Sequence, residues 1–154
     1  MTDDTNVHYR QPGWFTTHVF NRVVAGLTRA GVSVWGSRVL EVRGRSSGQV
    51  RRVPVNLLTH EDREYLVSPR GETQWVRNVR AAGGELDLVV GRRRQHHRAR
   101  ELADADKVPV IRGYLRRWKM EVGVFFDGVD AGSSDEAIAA IAGRHPVFAL
   151  DRAA

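Results

Sequence analysis

The sequence predicts an α+β domain built on an antiparallel sheet or small barrel. Three observations lead there. Short β-type runs are joined by tight polar turns, which suit antiparallel pairs and not crossover connections. Helical patterns fall between pairs of runs, without the steady strand–helix alternation of a doubly wound fold. No repeat, low-complexity tract or long linker divides the 154 residues.

Residues 1–12 read as a flexible N-terminal tail ending at Pro12, and residues 13–154 as one domain. Over 14–30, Phe15, Val19, Val23 and Leu27 recur at helical spacing, with Gly31 as a stop. The periodicity then shortens. Val39–Val42 and Arg52–Leu58 read as a hairpin around the polar turn from Gly44 to Gly48. His60 to Arg63 makes the next turn, and Tyr65–Ser68 is a third strand halted by Pro69 and Gly71. Thr73 is placed to cap a helix running to Ala82, which Gly83 and Gly84 end. Glu85–Val90 and Arg94–Leu102 form a second hairpin. A helix from Asp104 to about Trp118 tolerates Pro109 in its first turn. Val122–Phe126 reads as a strand, Ser133 or Ser134 caps a short helix to Ala142, and Pro146–Leu150 is a last strand at a sheet edge.

Composition narrows the chemistry. With no cysteine, disulfides, thiol catalysis and Cys-zinc sites are excluded. Lysine occurs only at Lys107 and Lys119, so 22 of the 24 basic residues are arginine. The net charge is +6. Arginine presents a planar fork of donors that matches phosphate and carboxylate oxygens, so an anionic partner fits this surface. Arginine-rich codon usage accounts equally well for many of these residues. No apolar run reaches the ~20 residues of a membrane span, and Met1–Gln11 lacks the pattern of a signal peptide. The expected location is the cytoplasm.

Two stretches stand out. Gly44–Asn56 places Arg45, Ser46, Ser47, Arg51 and Arg52 around one tight turn. Turn amides and hydroxyls donate to phosphate oxygens while arginines supply charge; an ordinary hairpin with solvated arginines has the same spacing. Ser68–Asn78 puts Arg70 and Gly71 just before a helix start, where unpaired amides suit an anion. Trp75 and Asn78 share a helix face and suit a planar heterocycle, one by stacking and one by hydrogen bonding; a core tryptophan beside a structural amide is the alternative.

Taken in order, Gly44-Arg45-Ser46-Ser47-Gly48, Arg51 with Pro54, Ser68-Pro69-Arg70-Gly71, Trp75 with Asn78, and the ending Pro146-Val147-Phe148 resemble the deazaflavin-dependent nitroreductase family of actinobacteria and related organisms, over roughly residues 14–150. The resemblance implies a split β-barrel, an antiparallel barrel like that of FMN-binding proteins, with flanking helices. It also implies coenzyme F420 as cofactor and hydride transfer from the reduced deazaflavin to a quinone, nitroaromatic or activated enone. By that pattern Arg45, Ser46, Ser47, Arg51 and Arg52 lie along the phosphate and acidic tail of the cofactor. Pro54, Val55 and Asn56 lie near its ring or linker. Ser68, Pro69, Arg70 and Gly71 line the ring edge, and Gln74, Trp75 and Asn78 close the pocket. Relatives place Lys where this chain has Ser46 and a hydroxyl where it has Pro69, and their tyrosine-rich C-terminal segment is replaced by Phe125 and Phe126.

Hydride chemistry belongs to the cofactor, which explains why no acid–base pair or triad stands out. Tyr114, His145 and solvent are candidates for the accompanying proton. The alternatives are an FMN-binding reductase on the same barrel, a non-catalytic module holding F420 or a lipid, and a nucleic-acid binder. The arginines of 92–100 lack interleaved aromatics for base stacking, so nucleic acid is not expected. His96 and His97 are adjacent, pointing to opposite faces of a strand, so no metal is expected there. Residues 14–30, with Trp14, Phe15 and Phe20, either pack on the barrel or rest peripherally on the inner membrane face. A monomer and a homodimer both fit the sequence.

Overall fold

In a computed structural model, residues 36–153 are described. The expected tail and the helix at 14–30 lie outside them. Six strands close into an antiparallel barrel: β1 (Ser37–Arg43), β2 (Val50–His60), β3 (Arg63–Val67), β4 (Glu85–Val90), β5 (Arg93–Glu101) and β6 (Val147–Arg152), in the order β1-β2-β3-β6-β5-β4. Helices α1 (Gln74–Ala81), α2 (Val108–Val122) and α3 (Asp135–Ala142) complete it. The expected α+β barrel is what forms.

The strands alternate as a one-layer barrel requires. Leu40 and Val42 on β1, Leu66 on β3, Leu88 on β4 and Phe148 on β6 fill the lumen, and Val76 and Val79 of α1 close one end over them. The opposite face of β2 and β3 presents Leu58 and neighbouring side chains to a second cluster. There α2 contributes Ile111, Tyr114 and Trp118, and α3 contributes Ile138 and Ile141. At the end of the barrel away from α1, Glu64 accepts a hydrogen bond from Arg152 (2.9 Å) and lies 3.4 Å from His97 Nε2.

Both hairpins form. The β1–β2 turn is closed by Gly44 N–H to Gln49 O (2.7 Å) and Gly48 N–H to Gly44 O (2.9 Å). Glu61 and Asp62 adopt φ of 50° and 65°, the left-handed pair that a two-residue hairpin turn uses. After α1, Gly84 has φ of +88°, and a Cβ there would stand 2.3 Å from Ala99 O, so only glycine lets the helix exit pass β5.

Three expectations are corrected. Val122–Phe126 is not a strand: α2 runs to Val122, kinked at Trp118, and Gly123–Phe126 is a 3-10 turn. A short buried apolar run has the same composition in either conformation, and Phe126 is placed by packing on Tyr114, with ring centroids 6.2 Å apart. The last strand is not an edge. β6 pairs with β3 on one side and β5 on the other, which closes the barrel. Thr73 occupies the N-cap position of α1, but its hydroxyl is buried without a hydrogen-bond partner among the described residues; Ser134 does cap α3, accepting from Ala137 N–H at 3.1 Å.

Candidate functional site

The two stretches singled out in the sequence meet in space at the end of the barrel that α1 covers. Asn78, only 5% exposed, accepts the backbone N–H of Arg45 at 3.1 Å and its guanidinium at 2.8 Å. Gln74, one turn earlier, accepts a second guanidinium hydrogen bond at 2.8 Å. Residues four apart lie on one helix face, so α1 holds the β1–β2 turn through two side-chain amides. The turn itself is compact: a Cβ on Gly44 would meet Gln49 O at 3.0 Å and Ser47 Oγ at 3.2 Å. Ser47 Oγ accepts from Gln49 N–H (3.1 Å), while Ser46 is exposed.

Charge separates the arginines into two kinds. Arg52 is bonded to Glu41 (2.6 Å), which also receives Arg94 (2.7 Å). Glu41 is desolvated, which opposes ionisation, but Arg94 and Arg52 together hold its carboxyl below the ordinary value. Arg80 is likewise shared by Glu72 and Glu101, and Arg98 is bonded to Glu85. Arg45 differs, because its partners among the described residues are neutral amides that orient the guanidinium without cancelling its charge. Arg51 is exposed, and its Nε would lie 3.3 Å from a Cβ on Gly44.

The register places the rest of β2. Arg51 and Val55 are on the lumen side, opposite Val42 and Arg38, whereas Arg52, Pro54 and Asn56 are on the outer face. The structure therefore gathers Arg45, Ser46, Ser47, Arg51, Gln74 and Asn78, and turns Arg52, Pro54 and Asn56 away from them. Trp75 is half-buried and packs on Phe148, ring centroids 5.9 Å apart, against the lumen cluster.

Beside α1's start lies an open cleft of about 550 Å³, walled by Pro69, Arg70, Gly71, Phe125, Asp127 and His145 among others. Ser68 lies beneath it, fully buried, its N–H bonded to Pro146 O (2.9 Å) and its hydroxyl to Gly71 O (2.6 Å). The Arg70 guanidinium lies 4.9 Å from the Phe125 ring centre. His145 is 3% exposed and stacks on Phe126 at 4.1 Å. Burial pushes its imidazole below the usual histidine value, against an opposing contact to Ser68 O. Of these walls, the sequence motifs supplied Pro69, Arg70 and Gly71; Phe125, Asp127 and Arg144 belong to no motif and come together through the α2 end and the α3–β6 turn.

The donor set fits a polyanionic cofactor. An oriented guanidinium with uncancelled charge, a second arginine and an exposed hydroxyl on one tight turn suit a phosphate and trailing carboxylates. Among the described residues, no group of three or more His, Asp or Glu is placed to hold a metal ion, and no helix is long and apolar enough to cross a membrane.

Comparison with known proteins agrees. A domain-swapped dimer of known structure aligns over 90% of this chain and 97% of its own, at 18% identity and a TM-score of 0.52. An F420-H2 dependent reductase (FDR-A) aligns over 75% of this chain and 94% of its own, at 18% identity and a TM-score of 0.50. A protein of unknown function from Agrobacterium tumefaciens aligns over 93% of this chain and 57% of its own, at 11% identity and a TM-score of 0.54. These likenesses establish the fold. No curated protein matches significantly. The family model for F420H(2)-dependent quinone reductases matches residues 15–126, well over half of the chain. The chain belongs to that family and is an oxidoreductase that uses coenzyme F420.

Proposed function

We propose that the protein passes a hydride from reduced F420 to a quinone, with the phosphate and acidic tail of the cofactor on the Arg45–Arg51 turn and the acceptor in the cleft beside Pro69–Gly71. The observation that carries this placement is Arg45 held by two neutral amides, which fixes a full positive charge where an anion can approach. Ser46, Ser47 and Arg51 add donors around it, and Gln74 and Asn78 act by orienting Arg45. Ser68, Pro69, Arg70 and Gly71 set the boundary between ring and acceptor, with Phe125 as an apolar wall for a planar ring. Trp75 supports this boundary from the lumen side. Arg52, Pro54, Val55 and Asn56 are left to the linker or to barrel structure.

The cofactor supplies the hydride; the chain binds, orients and shields. Nitroaromatics and activated enones are further acceptors compatible with an open aromatic cleft. Cytoplasmic location, residues 14–30 either packed on the barrel or peripheral on the inner membrane face, and a monomer or homodimer belong to the same proposal. The test is turnover of reduced F420 with menadione, nitrofurazone and cyclohexenone in parallel. Fastest turnover with menadione supports the quinone reading. No turnover with any of the three, despite F420 binding, would leave a cofactor carrier instead.

A further inference from the structure

Resting on the placement of the acceptor in this cleft, we infer that the acceptor is reduced to its anion, that Arg70 holds the new negative charge, and that solvent supplies the proton afterwards. A quinone that gains a hydride becomes a hydroquinone anion, with its charge on an oxygen. A nitroaromatic or an enone likewise gains charge on oxygen. The cleft must therefore offer either an acid that protonates this oxygen at once or a cation that steadies it.

The described cleft wall offers no acid. His145 Nε2 is buried and its ring is pinned by Phe126 (4.1 Å) and Ser68 O (3.3 Å), so that nitrogen does not open into the cleft. The Ser68 hydroxyl is buried too and donates to Gly71 O (2.6 Å). Tyr114 lies in the helical layer, packed on Trp118 and Phe126. Both carboxylates of the wall are bonded to arginines: Glu72 accepts from Arg80 (2.5 Å) and Asp127 from Arg144. A carboxylate in such a pair accepts hydrogen bonds and has no proton to give.

The wall does offer a cation. Arg70 lines the cleft and is partly exposed, and its guanidinium lies over the Phe125 ring, 4.9 Å from the centre. A guanidinium held by its face keeps its N–H donors in plane, at its edge. The backbone is fixed on both sides of Arg70, by Ser68 N–H to Pro146 O (2.9 Å) and by Gly71 N–H to Ser68 O (3.3 Å). Arginine keeps its charge throughout the neutral range, so a charge-assisted hydrogen bond is ready when charge develops on the acceptor. In the step, the hydride bonds to the acceptor with its electron pair, negative charge gathers on oxygen, and Arg70 donates an N–H hydrogen bond to that oxygen. A proton from water in the open cleft then forms the last O–H bond, and the neutral hydroquinone leaves.

Two measurements test this. The first needs no cofactor: binding of menadione, which is neutral, and of lawsone, a hydroxynaphthoquinone of similar size that is an anion at neutral pH, to wild type, Arg70→Met and Arg70→Lys, with competition between the two quinones to show one site. The second is the single-turnover rate of menadione reduction in the same three proteins, in ordinary and in heavy water, with F420 affinity measured alongside. Wild type is expected to bind lawsone about tenfold or more tighter than menadione. Arg70→Met is expected to lose that preference and to reduce menadione about a hundredfold more slowly, with F420 binding retained. Arg70→Lys keeps the charge without the fork and is expected to recover part of both. The solvent isotope effect in wild type is expected to be near unity. Equal affinity of wild type for the two quinones, or wild-type rate and preference in Arg70→Met, overturns the role of Arg70 and leaves the acceptor site standing. A large solvent isotope effect on hydride transfer places a proton donor in that step and overturns the anionic product. Absence of menadione reduction in wild type overturns the acceptor reading and this inference with it.

Discussion

Asn78 Oδ1 accepts two hydrogen bonds from one residue, Arg45, at 3.1 Å from its backbone N–H and 2.8 Å from its guanidinium. One buried amide thus joins the β1–β2 turn to α1 and fixes both the path of the turn and the direction of its charge.

Two substitutions of Asn78 separate those roles. Asn78→Ala removes both hydrogen bonds that tether the turn to α1, each worth about 0.5–1.5 kcal/mol; both the urea midpoint and F420 affinity are expected to fall. Asn78→Asp keeps an acceptor at the same place but cancels the charge of Arg45. Stability is expected to be held or raised while F420 affinity falls. Equal affinity in wild type and Asn78→Asp would show that Arg45 does not meet the anion.

Arg51 and Arg52 are neighbours in sequence but not in role. Arg52 already serves Glu41, whereas Arg51 is on the lumen side beside the Gly44 turn. Arg51→Ala is expected to weaken F420 binding by about tenfold or more, as a charge-assisted hydrogen bond is worth roughly 1.5–3 kcal/mol. Arg52→Ala is expected to change affinity little. Titrations at low and high salt check this, since only the Arg51 contribution is screened as ligand binding.

Glu64 makes stability acid-sensitive. Its hydrogen bond from Arg152, ahead of the opposing effect of burial and helped by His97, holds its carboxyl below the ordinary value. A depressed folded-state value contributes stability that is complete above the unfolded value of about 4.3 and is lost as pH falls through the folded one. Glu64→Gln is expected to flatten the stability curve in that acid window. Denaturation at pH 3, 4 and 6 reads it out, and parallel curves for both proteins would contradict the assignment.

Gly84→Ala tests the barrel closure near α1. The substitution forces a Cβ against Ala99 O at 2.3 Å in a left-handed conformation. The conformational part alone costs roughly 1–2 kcal/mol, and the clash adds to it. A melting temperature unchanged by the substitution would mean the exit of α1 follows another path.

The sequence made the barrel legible because its turns are chemically explicit. The Gly44–Gly48 turn and the Gly83-Gly84 exit each carry a residue that only a tight turn needs. Val122–Phe126 reads as a strand because five apolar residues carry no period long enough to separate strand from helix end. The central position of β6 was hidden for another reason: closure pairs it with β3 and β5, partners distant in sequence. In the site, residue types were readable but their directions were not. Arg51 and Arg52 look equivalent until the register sends one inward and the other to Glu41. Asn78 and Trp75 share a spacing, yet one grips Arg45 and the other packs on Phe148. The His145 wall of the cleft joins three segments that no local motif connects.

The most direct test of the account is a titration of wild type and Arg45→Gln with F420, FMN run in parallel, followed by tryptophan fluorescence. Binding of F420 in the micromolar range, on the order of −8 kcal/mol, weakened at least tenfold in Arg45→Gln and absent for FMN, is the predicted result. Equal F420 affinity in the two proteins would contradict the placement of the cofactor's anionic groups at the Arg45 turn.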